Sequence, residues 1–220
     1  MTLSSRVLSL NDLGVSVTPA QRIEHQLFKV RHGENYSFWL YNLTRRKVRA
    51  HFWIDGDFQF KIIVHPTDSD GVELTCNPDT QKKFIAFASG TQGAAETGES
   101  ALSRSEKGLI VVKFQPELAK LELEKPCFLG LDDDEDEDEP LQMFGSKSSK
   151  NITSAVTGYS GTSNQQFGTT SFVGEPNDDL WTILQFRLVA DKPKDDGVTP
   201  ISPRRAEAVR KLNTGVPPIV

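Results

Sequence analysis

Between Tyr36 and Val64 the chain carries three apolar runs of alternating character, separated by two very short polar breaks. They read Tyr-Ser-Phe-Trp-Leu-Tyr-Asn-Leu, Lys-Val-Arg-Ala-His-Phe-Trp-Ile and Asp-Phe-Gln-Phe-Lys-Ile-Ile-Val. Aromatic and β-branched residues recurring at period two are the repeat of a pleated strand, not of a helix. Pairing Leu43 with Val48 across an Arg45-Arg46 turn places Trp39 and Tyr41 on one face with Ala50, Phe52 and Ile54. A two-residue Asp55-Gly56 turn would then send Phe58, Phe60 and Ile62 to the opposite face, because a one-residue slip inverts every side chain. Either that second loop has three residues, or the chain crosses there to a second sheet.

The same reading extends along the chain. Strands are expected near Val72–Cys76, Lys83–Ala88, Leu109–Phe114, Leu118–Leu123, Ile152–Val156, Phe167–Val173 and Leu180–Val189, with no convincing amphipathic helix between them. Many short strands without intervening helices predict an all-β fold, an eight- to ten-stranded antiparallel jelly-roll sandwich. The expected organisation is an N-terminal arm over 1–22, a sandwich domain over 23–190 and a C-terminal tail over 191–220. The tail holds five of the 12 prolines. Within it, Ser202–Leu212 has the start and stop signals of a short helix. Two long loops, 90–108 and 132–150, interrupt the domain, the first reading as too small and polar to bury much.

Charge is unevenly placed. The formal net charge is −5, yet Asp132–Glu139 is a run of eight consecutive acids. Set against 25 basic residues, the 22 acids outside the run leave the body at +3. Uninterrupted acids repel one another and stay extended and solvated; calcium loops instead interleave carboxylates with glycine. Cys76 continues the alternation Val72, Leu74, Cys76 and is expected as a small buried residue, whereas Cys127 lies far away. The pair forms no Cys-x-x-Cys pattern, which favours a reducing compartment. No apolar run approaches the roughly 20 residues that cross a bilayer as a helix. The N-terminal stretch, broken by serines before Asp12, is a poor secretory signal.

Chemical motifs are weak. Gly158-Tyr-Ser-Gly-Thr162 approaches the nucleophile elbow, but Thr162 replaces its final glycine and no strand–turn–helix setting is expected, so a glycine-rich turn is predicted. His25, His32, His51 and His65 show no metal-binding spacing, so no cofactor or metal is expected. Basic residues gather at Arg45, Arg46, Lys47 and Arg49 and again at Arg204, Arg205, Arg210 and Lys211, without an aromatic stacking platform; direct nucleic-acid binding is not expected. Asn35, Asn42 and Asn151 head glycosylation triplets that chance accounts for. Trp39, Trp53 and Trp181 are the residues that could stack on a sugar, with Trp39 expected in the core and Trp53 the better candidate.

The block Gly33–Gly56, the later Thr157–Phe167 and the strand Thr182–Val189 resemble the landmarks of a single-jelly-roll family found in large DNA viruses of algae and in scattered microbes. The resemblance covers roughly Lys29–Val189, without the two long loops. It implies a penton-like or minor capsid protein: a structural, non-enzymatic subunit of a large icosahedral DNA virus, residing in the virion or otherwise the cytoplasm. Its partners would be further copies of itself, a pentamer at a fivefold vertex, and neighbouring capsid proteins. No catalytic residues carry over. Candidate contact residues are Trp53, Arg45, Arg46, Val216 and Ile219, the last two in the apolar tip of the tail. The rival function is a carbohydrate- or ligand-binding β-sandwich; a cupin-like metal oxygenase or a glycan hydrolase is a third.

Overall fold

The computed structural model describes residues 7–67, 70–118, 152–191 and 193. Among them are twelve strands: β1 (Leu8–Leu10), β2 (Leu13–Thr18), β3 (Gln21–Glu24), β4 (Leu27–Val30), β5 (Glu34–Asn42), β6 (Val48–Ile54), β7 (Asp57–Val64), β8 (Val72–Leu74), β9 (Lys82–Ala88), β10 (Leu109–Pro116), β11 (Ile152–Thr162) and β12 (Thr182–Asp191). One short helix, α1 (Gln92–Glu96), follows β9. The fold is an all-β sandwich, antiparallel except where β4 runs parallel to β12.

One layer runs β7-β6-β10-β12, with the β3–β4 hairpin added beyond β12. The other runs β1-β2-β5, with β8 and β9 following one another along the far edge of β5. Strand β11 joins the two. Its residues Ile152–Ser154 pair with β12, and from Ala155 onward it pairs with β9.

The interior is phenylalanine-rich. Phe28, Phe38, Phe52, Phe60, Phe84, Phe114 and Phe186, seven of the 13, are fully buried. Rings from the two layers meet directly: Phe38 lies 5.1 Å from Phe52, and Phe60 lies 6.0 Å from Phe84. Each such ring contributes about 2 kcal/mol by burial alone.

The chain crosses between layers in the loop between β5 and β6, where a tight hairpin is expected, and not at Asp55-Gly56. β5 and β6 do not pair; they lie in opposite layers, and the Leu43–Val48 hairpin does not form. Asn42 fixes the crossing. Fully buried, it donates to the carbonyls of Arg46 (2.9 Å) and Val64 (3.0 Å) and accepts from the Thr44 amide and hydroxyl. It is therefore no glycan acceptor. As a consequence Phe38 and Leu40, not Trp39 and Tyr41, share the core with Ala50, Phe52 and Ile54.

The β6–β7 hairpin, by contrast, stays within one sheet. Asp55 (φ +53°) and Gly56 (φ +88°) make the two-residue turn with positive φ at both positions that matches strand twist. The register problem is solved by a bulge. Trp53 pairs with Phe58 and Phe52 with Phe60, leaving Gln59 as an extra residue. Phe60 returns to the core and Phe58 stays outside.

Other expectations need correction. Within the expected arm, residues 8–22 form β1, β2 and the start of β3, and Leu13, Val15 and Val17 are core residues. The segment 167–173 is irregular, with one bridge nearby from Gly174 to Glu117. Gly158–Thr162 is strand, not turn. Loop 90–108 buries more than its composition suggests: Ala94 and Glu99 are both buried. Cys76 is buried with its thiol free. The Leu118–Leu123 strand beyond Leu118, loop 132–150 and the tail with Val216 and Ile219 lie outside the described residues.

A candidate aromatic and cationic binding face

Strand register converts the outward positions of β7-β6-β10-β12 into rows. Phe58, Trp53, Val111 and Gln185 stand side by side in one row. Lys61, His51, Lys113 and Ile183 form the next. Ile63, Arg49 and Gln115 form the third, and Trp181 closes its end. These positions carry aromatic and aliphatic groups and three cations, and no carboxylate.

The aromatic residues touch. The rings of His51 and Trp53 are near-parallel at 6.1 Å; Trp181 lies 5.4 Å from His51, and Phe58 lies edge-on to Trp53 at 5.3 Å. The Lys113 ammonium sits 4.9 Å from the Trp53 ring centre, and the Arg49 guanidinium 4.3 Å from that of Phe172. The segment after Gly174 pins the third row. The Glu175 carbonyl accepts from Trp181 Nε1 (3.1 Å) and Gln115 Nε2 (2.9 Å). Phe58 and Ile183, at opposite corners, are 52% and 50% exposed.

His51 is held neutral at this face. Burial pushes its pKa down, a hydrogen bond with Gln115 partly opposes this, and Arg49, Lys61 and Lys113 push it down further. Its Nε2 is buried and has no hydrogen-bond partner among the described residues.

Two of the three tryptophans singled out from sequence, Trp53 and Trp181, thus share one surface. Trp39 does not join them and is not core; it lies half-buried on the outside of the other layer. There Trp39, Tyr41, Ser16 and Asp70 help line a cavity of about 450 Å³. A second groove on that layer, about 590 Å³, is hydroxyl- and amide-rich, with Asn35, Glu73, Lys83 and Gln165 in its walls. Arg45 and Arg46 are exposed in the crossing loop, beyond the Arg49 end of the face and apart from Trp53. Among the described residues no group of three or more potential metal ligands converges. Lys61, Lys113 and Ile183 escaped the sequence reading, because only the pairing of β10 with both β6 and β12 brings them to Trp53.

A second polar cluster ties the layers together. Asp55, 7% exposed, accepts from the Gly108 amide (2.6 Å) at the start of β10 and from the Thr157 amide (2.8 Å) in β11. Burial raises its pKa to about 6, against the opposing pull of these two amides and of Arg187. Tyr36, also buried, shares a 2.7 Å hydrogen bond with the Thr157 hydroxyl. Both Asp55 oxygens are engaged by backbone, so this carboxylate works as a brace between strands. No protein-family model, curated protein or solved structure matches the chain.

Proposed function

We propose that the chain is a structural, non-catalytic subunit that assembles with other proteins through the outer face of β7-β6-β10-β12. One observation carries this reading: eleven outward strand positions hold apolar groups, amides and cations without a single acid, and their apolar corners, Phe58 and Ile183, stand half in water. Large apolar groups left half in water on a rigid sheet, here on either side of a row of cations, mark a surface for partners. A rigid sandwich of this kind suits a wall component, whose contacts with neighbours close into rings when the rotation allows. The resemblance of Gly33–Gly56, Thr157–Phe167 and Thr182–Val189 supports the finer assignment, a penton or minor capsid subunit of a large icosahedral DNA virus.

The test is sedimentation velocity on the full chain and on a Phe58→Ser, Ile183→Ser double variant. The expected result is a discrete oligomer for the natural sequence and a shift toward monomer for the variant. A natural chain that stays monomeric, or a variant that assembles equally well, overturns the reading. Electron microscopy of particles locates the subunit, with density at the fivefold vertices expected for a penton.

A glycan-binding reading draws on the other layer. Trp39 and Tyr41 beside Asp70 and Ser16 combine an aromatic platform with polar groups in one concavity. Trp53 suits this role less well, since Lys113 and His51 already occupy its surroundings. A glycan array on the natural chain and on Trp39→Ala decides it; no signal above background removes the option.

A further inference from the structure

The assembly face has a chemistry specific enough to name its occupant, an inference that rests on the reading above. We infer that the face takes an acidic peptide segment of a partner protein, with carboxylates at its centre and apolar side chains on either side.

Three observations converge on this. First, Lys61 and Lys113 stand in one row on either side of His51, and neither makes an ion pair with any carboxylate among the described residues. With strands spaced about 4.8 Å apart, the two lysines rise from backbone positions about 10 Å from each other. His51 between them has its pKa held down by burial and by the neighbouring cations, and its ring packs against Trp53 and Trp181. Second, the half-exposed apolar groups sit at diagonal corners, Phe58 on β7 and Ile183 on β12. Three strand spacings and one row separate them, about 15 Å, which an extended peptide covers in four to five residues. A ligand that satisfies both features carries acids in the middle and apolar groups at both ends. Third, charge complementarity fixes the sign: cations without acids attract an anionic partner and repel a basic one.

The same observations disfavour a nucleic acid. Base stacking needs a free ring face beside the cations. Here Trp53 is flanked by His51, Phe58 and Lys113, and Arg49 is spent on Phe172. What remains exposed, a phenyl edge and an isoleucine, matches side chains better than bases.

The probe is a synthetic fluorescent peptide, Ser-Phe-Glu-Asp-Glu-Leu-Ser, whose two apolar residues lie four positions apart, about 14 Å when extended. Its three acids face the row of Lys61 and Lys113 while Phe and Leu reach the two corners. Binding is followed by anisotropy on the full chain. The expected result is saturable binding that weakens at least tenfold for Lys61→Gln with Lys113→Gln, and at least tenfold for Phe58→Ser with Ile183→Ser. A peptide with the three acids replaced by Lys should not bind. All four substitutions are at outward positions, and far-ultraviolet circular dichroism verifies that each variant folds.

Binding that ignores both double variants overturns the inference, as does no binding to the full chain. Binding that appears only after Asp132–Glu139 are replaced by Asn and Gln assigns the face to the chain's own acid run and overturns the partner. Tighter binding of an oligothymidylate, lost in the same variants, overturns it in favour of nucleic acid. A chain that assembles but ignores the peptide sinks this inference alone; a monomer that binds the peptide sinks only the assembly reading.

Discussion

The two outer faces of the sandwich follow the same alternation and serve opposite ends. On β7-β6-β10-β12 the outward side chains are aromatic and cationic, and nothing among the described residues covers the Phe58 and Ile183 corners. On the other layer, α1 and the turns after it lie over β9 and β11: Gly93 and Gly158 approach the Phe87 ring so closely that neither leaves room for a Cβ. Glu99 holds this cover down, accepting from the Ser89 hydroxyl, the Gly90 amide (3.0 Å) and the Lys107 ammonium (3.0 Å). The β9–β11 part of one face is covered by the chain's own loop, whereas the Phe58 and Ile183 corners of the other have no such cover among the described residues. The difference shows that a polar, glycine-rich insertion can be a packed lining, while a strand with well-placed aromatics can point them outward.

The comparison is open to attack at four places. The largest effect is expected at the brace between the layers. The folded chain holds the Asp55 proton up to about pH 6, whereas the unfolded chain releases it near its ordinary value of 3.8. Between those values the folded state binds more protons, so stability should fall as pH rises from 4 to 6, by up to about 3 kcal/mol, and then level off. Asp55→Asn, a residue that tolerates the positive φ of this turn, should abolish that slope in urea unfolding measured across the window. An unchanged slope would mean that another group is responsible.

Next comes the covered part itself. A Cβ at Gly158 would lie 2.8 Å from both the Phe87 ring and the Thr97 methyl. Gly158→Ala should therefore cost about 2 kcal/mol by overpacking, read from the denaturant midpoint. Smaller is Glu99→Gln, which keeps the shape but weakens three donors' shared acceptor, for about 1 kcal/mol. Burial alone would raise the Glu99 pKa; Ser89, Gly90 and Lys107 together outweigh it and hold the carboxyl below its ordinary value. Its contribution is therefore present above the usual carboxylate range and lost on acidification, the reverse of Asp55. Smallest of all, Phe58→Ser and Ile183→Ser on the open face should each change stability by less than about 0.5 kcal/mol. A loss of several kcal/mol there would show that the open face is part of the core and not a surface for partners.

Much of this architecture was legible in the residues. Period-two alternation located β5, β6, β7, β9, β10 and β12, but register argued against the two-residue Asp55-Gly56 turn that the Gln59 bulge makes possible. What alternation cannot encode is which strand pairs with which. Leu43 and Val48 looked like hairpin partners because nothing local distinguishes a turn from a crossing; the deciding residue, Asn42, acts through carbonyls up to 22 positions away. The Gln59 bulge was equally invisible, since an unpaired residue has no composition of its own. Residues 8–22 read as an arm because β2 is short and gains its burial only by pairing with β5. At the binding face, Trp53 and Trp181 could be named one by one, but Lys61, Lys113 and Ile183 acquire meaning only through the neighbours that β10 and β12 supply.

Because β11 begins in one layer and finishes in the other, the molecule is a single folded ribbon with no seam along which it could come apart. Prising the leaves open means unzipping a shared thread, so heat or force should meet one concerted transition. Load applied at one leaf would then pass straight into the other, as through a rivet.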